Sequence, residues 1–289
     1  MFNRNYKMII GDETTGTLEF DGLRIKFEIE KSLVGSPNLG RFEIFNLSED
    51  SRNKVKDEFT SIKLFAGYEG ETPLIFKGDM RNVNHVFDGV DWITIIYAGD
   101  ASKDLEQTTI EKQFPAGTTQ EQMVKSALNE LTNVAEGTLE GIKTCITGKK
   151  SILKSYIASG SVKEFLDELS ESCGFDYSVN DGVLDTVAKN NSLNDEPVFL
   201  INQTTGMIGS PELTEIGADV TVFLAANLKL GRKYKIESLT AKINIGNQFF
   251  REVSKSVTNN SYRIDKLKHT GDTHDNVWQT FITGRAVNG

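Results

Sequence analysis

The densest cluster of chemically capable side chains is His269-Thr270-Gly271-Asp272-Thr273-His274-Asp275. Two imidazoles and two carboxylates in one short run are a donor set for a divalent cation, and His269, Asp272 and His274 are the candidate ligands of a metal-assisted hydrolase. The same run also reads as a polar hairpin loop, with Gly271 and Asp272 supplying the turn and the histidines capping it or facing water. The loop reading is favoured, because His85 is the sole other histidine of the chain. No metal, cofactor or catalytic residue is therefore expected.

Other chemistries have less to stand on. Serine or cysteine hydrolysis needs a histidine base, few are present, and there is no G-x-S-x-G elbow. Thr147-Gly148-Lys149-Lys150-Ser151 resembles the end of a phosphate-binding loop, but its first glycine is misplaced and Lys150 occupies the Ser/Thr position. Acidic pairs suited to glycoside hydrolysis abound, yet most lie on alternating strand or helix faces where solvation explains them. Trp92 and Trp278 are candidate stacking platforms for a carbohydrate-binding module. Each begins an alternating strand, which favours core anchors instead.

The two tryptophans belong to similar stretches, Leu74–Asp100 and Ser261–Ala286. Each runs from an alternating strand through a histidine and a Gly/Asp loop into a Trp-led strand. Val83 and His85 precede Trp92 and Thr94; Leu267 and His269 precede Trp278 and Thr280. The His-to-Trp spacings differ by two residues, which a hairpin loop absorbs. Duplication of one β unit favours geometry over catalysis.

The elements that carry these residues follow from periodicity. With 289 residues, 38% hydrophobic and 25% charged, the chain can bury two or three cores. Strict alternation in Leu23–Glu30 predicts a half-buried antiparallel strand. Strands are also predicted at Arg41–Leu47, Ile62–Tyr68, Leu74–Lys77, Asn82–Phe87 and Trp92–Ala98, with Ser48 capping a short helix that ends near Phe59. From about Ala101 to Asn191 the period becomes helical. Thr118–Thr132 and Ser161–Cys173 each present an apolar face, the second opened by a Ser161/Glu164 capping box and stopped at Gly174. An Asn180-Asp181-Gly182 turn then joins Phe175–Val179 to Val183–Val187. Strands return at Val198–Ile201, Val220–Leu224, Lys233–Ser238, Ala241–Ile245, Tyr262–Leu267 and Trp278–Thr283, with an exposed loop over Val253–Ser261. The expected organisation is mainly β with an α+β insert: a barrel over 1–105, an α+β domain over 106–192 and a barrel over 193–289.

Charge narrows the partners. The formal charge is −9, and residues 1–195 hold 32 acids against 21 Lys/Arg, whereas 196–289 hold 9 against 11. There is no basic stripe to replace the counterions of a nucleic acid. Cys145 and Cys173 form no framework and are expected reduced and partly buried. The N-terminus lacks the apolar core of a signal peptide and no run is long enough to span a membrane, so synthesis in a cytoplasm and no membrane contact are expected.

The residues that carry the repeat also carry a family resemblance. Leu23–Glu30, Pro37-Asn38, Phe42–Asn46 with Leu47-Ser48 and Arg52, Ala66-Gly67-Tyr68, Ile75-Phe76-Lys77-Gly78, Asp91-Trp92 and Gly99-Asp100 resemble the opening domain of phage baseplate hub proteins. Gly160-Ser161 to Gly174 with Asp181-Gly182 is similar to their middle. Thr205–Glu212, Leu228 to Gly231 and His269–Asp272 with Trp278 are similar to their C-terminal barrel. The resemblance implies two tail-tube-like barrels per chain and a homotrimer that adapts a six-fold tail tube to a three-fold central spike in a contractile-tail virion. It also implies contacts with tube, spike and other baseplate proteins, and passage of genomic DNA through an acidic channel without specific binding. A tailocin or other contractile injection system is the alternative setting. Aligning Gly99-Asp100-Ala101 with Gly284-Arg285-Ala286 suggests an Asp100–Arg285 contact between neighbouring barrels. The loops Gly35–Gly40, Glu69–Thr72 and Ser254–Ser261 are contact candidates.

Overall fold

The computed structural model describes residues 3–12, 16–143, 151–193, 198–238, 242–243 and 261–287. Cys145, most of the Thr147–Ser151 run and nearly all of the Ser254–Ser261 loop lie outside them.

In the N-terminal third, β1 (Arg4–Asp12) and β2 (Gly16–Phe20) form a hairpin, followed by β3 (Ile25–Ser32), β4 (Leu39–Phe45), α1 (Glu49–Asp57), β5 (Ser61–Tyr68), β6 (Leu74–Asp88) and β7 (Asp91–Gly99). Alternation sets the inward face: Met8 and Ile10 of β1, Ile25, Phe27 and Ile29 of β3, and Ile62, Leu64 and Ala66 of β5 are all buried. Ser48 caps α1 by accepting a hydrogen bond from the Ser51 N–H. The strands predicted over Leu74–Lys77 and Asn82–Phe87 are one strand. A bulge between Met80 and Asn82 keeps its pairing with β7 continuous while breaking its alternation.

The middle module comprises α2 (Ser102–Gln107), β8 (Thr109–Phe114), α3 (Gln120–Glu130), β9 (Ala135–Glu136), α4 (Glu140–Lys143), β10 (Tyr156–Ser161), α5 (Val162–Cys173), β11 (Phe175–Asn180) and β12 (Val183–Ala188). Met123, Val124, Ala127 and Leu128 of α3 pack with Val162, Phe165, Leu166, Leu169 and Cys173 of α5 in one core. The capping box expected at Ser161 does not form, because Ser161 closes β10 opposite Thr109 and its side chain makes no cap bond. A capping box forms instead at Thr119 and Gln122 of α3. Gly174 ends α5 at φ 71°, and Asp181 and Gly182 turn the β11–β12 hairpin at φ 54° and 84°.

The C-terminal third contains β13 (Phe199–Ile201), β14 (Met207–Leu213), β15 (Gly217–Phe223), β16 (Lys233–Ile236), β17 (Lys242–Ile243), β18 (Ser261–Asp272) and β19 (Trp278–Ala286). A fourteen-stranded, mostly antiparallel sheet runs in the order β17-β14-β15-β19-β18-β3-β4-β7-β6-β5-β1-β2, with β16 and β13 branching from β18. Among the described residues one strand pairing, β3 on β18, joins the N- and C-terminal thirds. No pairing among the described residues links the two ends of this path.

Each side of that seam has its own core, and each borrows across it. Trp278 and Leu224 lie in the N-terminal core, and Leu33, just beyond β3, lies in the C-terminal one. Exchange of this kind makes the two halves one folded body rather than beads on a string.

Candidate functional site

The sequence repeat is a structural repeat, register for register. In the first hairpin His85 faces Thr94 and Phe87 faces Trp92; in the second His269 faces Thr280 and Gly271 faces Trp278. The bulges coincide as well, between Met80 and Asn82 in β6 and between Ile264 and Lys266 in β18. Flanking strands extend the match. β4 lies beside β7 as β15 lies beside β19, β3 beside β4 as β14 beside β15, and β5 beside β6 as β16 beside β18. A five-strand unit is thus present twice in the chain.

The register corrects one alignment. Gly99 faces Asp79 and Arg285 faces Arg263, so Arg285 corresponds to Gly99, and Asp100 corresponds to Ala286. A slip of one residue puts side chains on opposite faces of a strand, so the supposed Asp-to-Arg exchange dissolves. Nor does the fold bring Asp100 and Arg285 together. Arg285 donates from Nε to Asp265 at 2.9 Å, while Asp100 is buried elsewhere within the chain.

The His/Asp cluster is pulled apart by the strand that carries it. His269, Gly271 and Asp272 lie inside β18, and the loop begins only at Thr273. His269 is buried, with Nδ1 2.8 Å from Thr280 Oγ1, and burial pushes its pKa down to about 3. Burial raises Asp272, but the Arg24 guanidinium at 2.8 Å, the His274 N–H and the nearby Lys26 outweigh it and hold the carboxyl below its usual range. His274 is exposed and its Nδ1 lies 3.0 Å from Thr273 Oγ1. Among the described residues no group of three or more His, Cys, Asp or Glu side chains is arranged to hold a metal.

Gly271 is therefore not a turn residue. A Cβ there would run into the rings of Phe27 and Trp278, which meet edge to face with centroids 5.2 Å apart. Trp278 is 3% exposed and donates from Nε1 to the Gly67 carbonyl at 3.3 Å. It is the core anchor that its position suggests. Trp92 is not: it is 39% exposed, its ring tilted against Phe87 at 5.2 Å between centroids, with Arg52 4.4 Å above it. The sequence pattern is the same in both places, and only the surroundings differ.

The surroundings of β18 are the seam. Seven residue pairs, Lys26–Asp272 through Ser32–Lys266, join β3 to β18. Lys268 Nζ reaches Glu28 at 2.6 Å and Glu30 at 2.9 Å. Arg4 of β1 donates to the carbonyls of Asp272, Asp275 and Asn276, tying the turn after β18 to the N-terminal strand.

Two buried polar joints fix the middle module to both sides of the seam, and neither was legible in the sequence. At the first, the Asp100 carboxylate accepts the backbone N–H groups of Asp181 and Gly182, Lys31 pairs with Asp181 at 3.0 Å, and Asn38 donates to the Val179 carbonyl at 2.6 Å. Burial and the Asp181 charge push Asp100 up to about 7, against the opposing pull of Lys31 and the two N–H donors. At the second, Arg263, 1% exposed, donates to Asp265, to Asp176 and to the carbonyls of Ala188 and Asn191. The buried apolar positions predicted how each element packs, but not which element it meets.

Chemically the molecule presents rigid edges and joints. The whole chain superposes on the 43 kDa tail protein of prophage MuSo2 from Shewanella oneidensis with a TM-score of 0.63 at 11% identity, covering 99% of this chain and 98% of that one. It superposes equally on a tail protein from Neisseria meningitidis MC58, with a TM-score of 0.63 at 9% identity and coverage of 98% and 97%. A type VI secretion component of E. coli, described as similar to T4 bacteriophage tail proteins gp27 and gp5, matches with a TM-score of 0.59 at 10% identity, over 92% of this chain and 74% of that one. The fold class is that of phage-tail β proteins. No curated protein sequence matches the chain. The model of the Baseplate hub gp41 family matches residues 8–250, and the chain belongs to that family. It is a structural protein of the tail baseplate. No helix among the described residues is long and apolar enough to cross a membrane.

Proposed function

We propose that three copies of this chain form a ring whose six five-strand units present a pseudo-six-fold face to the tail tube and a three-fold face to the central spike. The observation that carries this reading is the duplicated unit with its coincident bulges and His–Thr pairs. A chain with two equivalent units lets a three-fold assembly offer six similar contacts, which a chain with one unit cannot do. Each unit stands for one tail-tube-like barrel, and the seam between β3 and β18 sets the angle from one to the next. The net charge of −9 suits a ring whose bore passes DNA without holding it, since like charges repel the phosphates. The fold's likeness to a type VI secretion component supports the wider reading of a hub in any contractile injection machine.

The test is mass and symmetry. Light scattering of the purified chain, alone or co-expressed with its spike partner, should give three times the 32.1-kDa protomer, and averaged negative-stain images should show a three-fold ring with a central hole. A ring of any other order would overturn the proposal.

A further inference from the structure

Along β6, residues 82–88 pair with β7 on one edge, and no strand among the described residues pairs with the other. The equivalent run of β18, Lys266–Asp272, has that edge covered by β3. We propose that the 82–88 edge of β6 receives a second copy of this chain, whose C-terminal half covers β6 as β3 covers β18. This rests on the ring reading and names its joint.

Three observations lead there. First, the covered and uncovered edges differ in what they leave in water. Val86, Phe87 and Val90 of the first hairpin are 43%, 58% and 88% exposed. In the second hairpin Gly271, which corresponds to Phe87, is buried in the seam. A cluster of exposed apolar side chains along an unpaired strand edge is a docking surface.

Second, the occupant can be identified from the repeat. β14 stands to β15 as β3 stands to β4, with Met207 at the place of Ile25 and Leu213 at that of Ile29. β14 and the short β17 beside it form the C-terminal end of the sheet path. Bringing this end of one copy to β6 of the next sets the contact where the β3–β18 seam stands within the chain, with β17 already on β14 at Glu212 and Leu213. Third, the two surfaces are different, so the contact is head-to-tail, the kind that makes a ring when the rotation from copy to copy divides a full turn. Pro211, which lacks an N–H, and the bulge between Ile208 and Glu212 keep this edge from pairing along its full length. Apolar contact through Phe87 and its neighbours therefore carries much of the association.

Sedimentation velocity over a concentration series, with amide hydrogen exchange on the assembled and dissociated chain, tests the joint. Assembly is expected to slow exchange at Asn82–Asp88, and Phe87→Asp is expected to weaken assembly roughly tenfold or more without changing the Tm of the dissociated chain. Leu153→Asp, at a side chain 71% exposed on the middle module, is expected to leave assembly unchanged. Assembly with unprotected 82–88 amides, or with Phe87→Asp and Leu153→Asp indistinguishable, would overturn the edge assignment and leave the ring standing. A chain that stays single at its highest soluble concentration, with its spike partner present, would overturn both.

Discussion

The hairpins β6–β7 and β18–β19 share strand order, register, bulge position and the cross-strand His–Thr pair, yet one is a surface and the other a core. Trp278 is 3% exposed and Trp92 39%. The difference follows the neighbouring edge: β3 pairs with β18, whereas no strand of the described residues pairs with the upper part of β6, where α1 brings Arg52 and Lys56 near Trp92 and His85. Local sequence fixes a strand's pleat and its pairing with a hairpin partner. Burial of that strand is decided by an element some 240 residues away in the chain.

The sharpest way to break the equivalence is to truncate the two tryptophans. Trp278→Ala removes a buried indole from between Phe27 and the Gly67 carbonyl and should cost about 3–5 kcal/mol of stability. Trp92→Ala removes a half-exposed ring and its cation–π contact with Arg52, and should cost about 1 kcal/mol or less in the isolated chain. Urea unfolding of both variants measures the gap. Equal losses would mean that the first hairpin is buried within the chain after all.

The next largest effect separates the halves at a position where they have no counterpart chemistry. Asp100 corresponds to Ala286, and of the two Asp100 alone holds the β11–β12 turn, beside Lys31 and Asn38. Asp100→Ala strands the Asp181 and Gly182 N–H groups and should destabilise the chain by about 2–4 kcal/mol. Asp100→Asn, with one acceptor oxygen left, should recover part of that. Hydrogen exchange at Asp181 and Gly182 reads the loss directly: their amides should exchange faster in both variants, and most in the alanine one.

These contrasts show where sequence reasoning stops. Alternation in Ile25–Ile29 and the apolar face of Val162–Cys173 were legible because each depends on residues within one element. Tyr6, Met8 and Ile10 carry the same alternation and mark β1, though over a run short enough to be lost beside the longer strands. Leu74–Asp88 split in two because a bulge shifts the alternation by one residue. The His269–His274 run looked like a metal site or a turn because spacing alone does not show that β18 continues to Asp272, putting His269 and His274 in different environments. Asp100 and Arg263 are single charged residues in strands, and nothing adjacent in sequence signals their burial.

The histidines separate the hairpins by pH. His269 is fully enclosed and titrates near 3 in the fold against about 6.5 in the open chain, so between these values the unfolded chain binds the additional proton. The stability from keeping His269 neutral is complete above about pH 6.5 and is lost as pH falls toward 3, at about 1.4 kcal/mol per pH unit. His269→Gln keeps a hydrogen-bonding group for Thr280 without a titrating proton and should flatten that limb of the stability curve. His85 is also held below its usual value, by burial and by Lys56 and Arg52, but less completely, so His85→Gln should change the slope less. Urea midpoints at a series of pH values decide this, and equal slopes for the two variants would remove the distinction.

The smallest effect concerns the charge lattice across the seam. Lys268, whose counterpart in the first hairpin is Asn84, bridges Glu28 and Glu30 on β3. Its side chain is 38% exposed, so water and salt screen the pair and its contribution should be about 0.2–1 kcal/mol. Lys268→Ala should lose that amount at low salt and nothing measurable near 1 M salt, where the Debye length falls to about 3 Å. Because the β3–β18 backbone ladder remains, the two halves should stay joined and unfold in one transition at both salt concentrations. If Lys268→Ala instead splits unfolding into two transitions, the seam is held by its charges rather than by its strands, and the difference between the hairpins would lie in side-chain chemistry, not in the covered edge.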